Sequence, residues 1–160
     1  MNRALEESGQ CLVGILARDG QLLAVLVRRG PARLIGLGSS EAAAEAARRL
    51  NADLDTLAGR RLPVRLEAVI RGSIRHQAEV LTAEIMEPLR SSIGDDSIVF
   101  VPSGPLACIP WSVLPDMRGR PVTVCPSASS WLAAWRRGQA AAAAGPGRRT
   151  GSGACGLGGQ

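Results

Sequence analysis

His76, Ser103 and Cys108 are of the residue types that suit acid–base or nucleophilic chemistry, and their surroundings decide what they can do. His76 is the only histidine. A general base must lie within hydrogen-bond reach of the group it deprotonates. His76 stands between Arg75 and Gln77 in a helical pattern, away from any glycine-rich turn or strand end, and reads as a surface helix residue. Ser103 follows an apolar run in Val101-Pro102-Ser103-Gly104-Pro105. A nucleophile elbow needs Gly-x-Ser-x-Gly. The segment reads instead as a turn in which Pro and Gly reverse the chain and the Ser satisfies backbone groups. Cys108 lies in a connecting segment with no adjacent His or Arg to activate the thiol.

The four cysteines, Cys11, Cys108, Cys125 and Cys155, form no CxxC pair and no metal spacing. Cys11 and Cys125 sit in apolar, strand-like runs, where cysteine packs as a small hydrophobe. Gly151 to Gly156 formally matches G-x-G-x-x-G, but no strand precedes it to build a dinucleotide site. There is no Walker A motif, no acidic metal cluster and no aromatic-basic stripe. No residue is therefore assigned a catalytic, cofactor-binding or metal-binding role, and no cofactor is expected. Trp111, Trp131 and Trp135 could stack a ligand. Trp131 and Trp135 share a helix face, and packing onto a sheet is the commoner use of that spacing.

The elements that would position these residues follow from periodicity. Residues 1–10 are polar and expected to fray. Cys11–Ala17 and Gln21–Val27 are apolar runs separated by Asp19-Gly20, a strong hairpin signal. Arg33–Leu37 extends them into a meander. Both faces of the first two strands are largely apolar, so both need cover. Ser39 or Ser40 caps a helix with Glu41 in its first turn and Gly59 past its end. A long helical stripe then runs from Leu66 to Leu89, weakened at Gly72 and kinked or interrupted by Pro88. Ile98–Val101 reads as a strand buried on both faces, and Pro121–Cys125 as the next strand. Ser127 or Ser129 caps a helix holding Trp131, Leu132 and Trp135. From residue 138 the composition shifts to Ala, Gly, Pro, Arg and Ser, and disorder is expected over 138–160.

Charge and composition narrow the class. The net charge is +5, yet residues 1–135 hold all 14 acidic residues and 15 arginines, a balance of +1. Arg136, Arg137, Arg148 and Arg149 carry the rest. Basicity confined to a tail argues against a phosphate-binding face, so no nucleic-acid partner is expected. All 19 basic residues are Arg, and abundant Ala, Gly and Pro accompany them, which reads as codon bias in a GC-rich genome. No apolar run is long enough to span a bilayer, so no membrane association is expected. A reducing cytoplasm is the expected location.

One stretch points further. Val99-Phe100-Val101-Pro102-Ser103-Gly104-Pro105-Leu106, Ile109-Pro110-Trp111-Ser112-Val113-Leu114-Pro115, Gly119-Arg120-Pro121-Val122 and Pro126-Ser127-Ala128 closely resemble the opening of the CHAT domain, the bacterial relative of caspases and separase. The resemblance implies an α/β fold: a truncated caspase-like α/β sandwich preceded by a small β-meander and helices. On this reading residues 1–10 are a flexible N-terminus, 11–137 the N-terminal part of a CHAT-like domain, and 138–160 a low-complexity tail. The family's activity is cysteine proteolysis by a His after one later strand and a Cys after the next. Neither maps onto this chain. His76 lies before the first core strand, and Cys155 lies in the Gly-rich tail. The expectation is an N-terminal fragment without the His/Cys dyad, inactive alone. The alternative is a small α/β protein-interaction module without catalysis, with a protein or peptide partner.

Overall fold

The computed structural model describes residues 1–59 and 61–143. The chain opens on a helix, α1 (Asn2–Ser8), where sequence polarity leads one to expect fraying. Gly9 ends it in the left-handed conformation at φ 63°, the usual stop for a short helix. Leu5 is fully buried and Ala4 nearly so. Two apolar side chains among polar neighbours anchor the segment, and they give no periodic signal.

Local chemistry makes the meander. Asp19 and Gly20 both take positive φ. They turn β1 (Gln10–Arg18) into β2 (Gln21–Val27), paired antiparallel from Arg18↔Gln21 to Leu12↔Val27. β3 (Arg33–Ser39) adds antiparallel to β2. The Ser39 hydroxyl accepts the Ala42 N–H at 3.2 Å and so caps α2 (Ser40–Gly59). The Ser39 N–H donates to the Glu84 carboxylate. A Cβ at Gly38 would fall 1.7 Å from that carboxylate, so the close approach requires glycine there.

The long stripe from Leu66 to Leu89 becomes a nearly continuous helical stretch in three parts. α3 (Val64–Leu81) passes into a π-helical turn (Thr82–Met86) and then α4 (Glu87–Ile93). The interruption expected at Pro88 thus falls just before it. A proline ring crowds the carbonyl four residues back, here that of Glu84, and a widened turn makes room.

β4 (Ser97–Val101) then inserts parallel beside β1, from Gln10↔Ser97 to Gly14↔Val101. Three 3₁₀ turns, Gly104–Cys108, Trp111–Val113 and Pro115–Met117, carry the chain to β5 (Val122–Val124), parallel to β4. Finally α5 (Ala128–Ala143) starts at Ser127, whose hydroxyl accepts the Ser130 N–H while the Ser130 hydroxyl accepts the Ser127 N–H. The disordered tail was expected to begin at residue 138; residues 138–143 instead continue α5, and 144–160 lie outside the described residues.

The result is a mixed α/β fold around a five-stranded mixed sheet of order β3-β2-β1-β4-β5. Alternation divides the strands between two cores. Val13, Ile15, Ala24, Leu26, Ile98 and Phe100 face one side and pack with α2, α3, α4 and the 3₁₀ turns. Leu12 and Val99 face the other side and pack with Leu5 of α1 and Trp131 of α5. That second cover is partial. α1 and α5 sit over β1 and β4, leaving Leu16 37% and Leu34 67% exposed on the meander. Among the described residues β5 is an edge strand with no further neighbour, and its Val124 is exposed.

Candidate functional site

Among the described residues, those with chemical potential are not gathered in one place. His76 is exposed on α3, on the flank of the molecule formed by α2 and α3. Among the described residues no side-chain hydrogen bond reaches it. Ser103 is exposed and extended at the start of the turn after β4, followed by Gly104 at φ 56°. Cys108 is exposed at the end of the same turn. Cys155 and the Gly151–Gly156 segment lie outside the described residues. Ligands of open α/β sheets bind beyond the carboxyl ends of parallel strands. There this chain offers the loops after β4 and β5, with Ser103, Cys108 and Cys125, and among the described residues no histidine or carboxylate is hydrogen-bonded to any of them.

Cys11 occupies the interior of the sheet. Burial pushes its thiol up to about 11, with the nearby Asp96 carboxylate acting in the same direction. Such a thiol is almost entirely protonated at neutral pH and is inert. Cys125 is also raised, by burial at the edge of the second core. Neither environment favours the thiolate. Among the described residues no group of three His, Cys, Asp or Glu side chains is placed to hold a metal ion. No described helix is long and apolar enough to cross a membrane.

The three tryptophans do not form one surface. Trp111 belongs to the core beneath α2, while Trp131 packs onto Leu5, Leu12 and Val99 on the opposite side of the sheet with Trp135 beside it. Packing is what the i,i+4 spacing of Trp131 and Trp135 indicates.

The densest charge constellation lies at the amino ends of the parallel strands, and sequence reasoning did not find it. Arg28, just past β2, donates from Nε to Asp96 at 2.5 Å, and Arg29 approaches the same carboxylate at 4.0 Å. Arg120 donates to the Gly94 carbonyl. The residues come from three separated stretches, and no local pattern announces them. The Arg28 hydrogen bond holds the Asp96 carboxyl below the usual carboxylate range, against a smaller opposing effect of burial. A carboxyl lowered in the folded state contributes stability above its unfolded value, about 4, and loses it as pH falls through the folded value. Asp96→Asn is therefore expected to cost about 1 kcal/mol at neutral pH. The gap to the parent should close below about pH 4. Urea titrations at several pH values measure it, and a gap that persists unchanged in acid would refute the pairing.

No protein-family model, curated protein or solved structure matches this chain.

Proposed function

We propose that residues 11–137 are the N-terminal part of a CHAT-like, caspase-fold domain, and that this portion has no peptidase activity of its own. The observation that carries the reading is the β4–β5 unit. The residues that resemble the family form two parallel strands and a connection whose Leu106, Ile109, Trp111 and Leu114 are buried in the core. They behave as one packed element, as a shared fold requires. β5 lies at an open edge, where a parallel sheet can accept a further strand. The catalytic His and Cys that the resemblance implies belong to later strands, and His76, Ser103 and Cys108 do not substitute for them.

Reading the encoding DNA around and beyond codon 138 in all frames tests this. A frame giving two further apolar strands that end in His-Gly and Ala-Cys is expected; its absence would sink the proposal. In parallel, the purified chain is expected to show no turnover of fluorogenic peptides. Turnover lost on Cys108→Ala or His76→Ala would show a thiol centre within these residues.

A second reading, a small α/β protein-interaction module without catalysis, is favoured by the exposed Leu16 and Leu34 on the meander. A soluble monomer that unfolds cooperatively as a single unit would favour it over the fragment.

A further inference from the structure

The flank formed by α2, α3 and the turns after Trp111 carries a groove with an unusual charge balance. One hollow of about 300 Å³ has Leu54, Leu57, Ile74 and Val113 on its floor. Arg71, Arg75 and Arg118 line its rim. A second hollow of about 350 Å³ continues from it, sharing Leu57 and Arg71 and adding Arg61 and Leu62. The floor side chains are held in place from below: Leu54, Ile74 and Val113 all pack against the main core.

Four arginines line this track, with Glu67 as the one carboxylate among them, and Glu67 is taken up by Arg71 at 2.6 Å. Among the described residues no carboxylate lies within 4.0 Å of Arg61, Arg75 or Arg118. The surrounding protein leaves these three charges unanswered, over a floor that is apolar. Arg48 and Arg49 share Glu45, and Arg90 is met by Asp116; Arg33, Arg65, Arg136 and Arg137 also lack such a partner among the described residues, so it is the gathering of three unpaired arginines around an apolar floor that marks this groove.

We propose that this groove docks an acidic, amphipathic segment of a partner protein, with apolar side chains seated over Leu57 and Ile74 and flanking Asp or Glu residues paired with Arg75, Arg118 and Arg61. The length favours a peptide, because two joined hollows suit successive anchors along one helix or strand. The lining offers no aromatic platform for nucleobases. The surface is concave, which suits an inserted side chain better than a flat bilayer. The lining comes from α2, α3, the residues between them and the connection before β5, with no residue of β5 itself, so the inference stands under either reading of the chain's function.

The test is a random-peptide phage library panned against the immobilised full chain. Enriched peptides are expected to carry apolar residues flanked by Asp or Glu. A synthetic copy of one should bind in solution, more weakly as salt rises. Charge reversal at both exposed rim positions, Arg75→Glu with Arg118→Glu, is expected to weaken it about ten-fold or more. Circular dichroism checks that the double variant is folded; if it is not, the Arg75→Gln/Arg118→Gln pair carries the comparison. The proposal is overturned by any of four results: no enrichment, enrichment of neutral or basic peptides, affinity unchanged in the folded double variant, or phosphatidylserine vesicles capturing the chain through these arginines in place of peptides.

Discussion

Trp111→Ala is expected to lower the stability of the fold by about 3–5 kcal/mol, the range for removing a large aromatic side chain from a core. Trp111 is 2% exposed, and its ring stacks on Phe100 with centroids 4.0 Å apart and planes 17° from parallel. Phe100 shares the main-core face of β4 with Ile98 and is fully buried. The pair therefore joins the turn-rich connection to the central sheet. Stacking of this kind adds about 0.5–1.5 kcal/mol beyond area burial. Trp111 also carries a cost, because its buried indole N–H meets no acceptor among the described residues. An orphaned donor of this sort costs about 1–3 kcal/mol. Trp111→Phe removes the orphan and keeps a ring over Phe100, so it should cost far less than Trp111→Ala. Urea denaturation of the three proteins measures both effects. If the alanine variant stayed within about 1 kcal/mol of the parent, the connection would be only a loop laid over the core.

Leu5→Ala is expected to cost about 2–5 kcal/mol, a large effect for a position seven residues from the nearest apolar run's Leu12. Leu5 is fully buried against Leu12, Val99 and Trp131. α1 has only seven residues, too few to be helical alone in water. Its order must come from this contact, so the helix and the second core should be lost together. Native-state hydrogen exchange would show it: truncating Leu5 should raise exchange at the α1 amides and loosen the start of α5 around Trp131. A frayed N-terminus predicts no change in either place. Total stabilities of single domains are about 5–15 kcal/mol, so either substitution removes a large share.

The sequence by itself determined the features whose causes are local. Asp19-Gly20 is a hairpin because both residues tolerate positive φ. Serines at 39–40 and at 127 or 129 announce helix starts because a hydroxyl one turn ahead can satisfy a free N–H; the fold chooses Ser39 and Ser127. Ile98–Val101 reads as a central strand because both its faces are apolar, and it lies between β1 and β5 as that reading requires.

Only the tertiary structure decided what depends on residues far apart. The parallel pairing of β4 with β1 joins segments separated by the whole helical region, and no turn chemistry encodes it. Leu5 is buried because Val99 and Trp131 arrive from elsewhere to meet it. The Arg28–Asp96 pair spans 68 positions. The unanswered charges of Arg75 and Arg118 were invisible for the same reason. In the sequence, residues 1–135 are almost neutral, and only folding separates the arginines that find a carboxylate from those that line a groove without one.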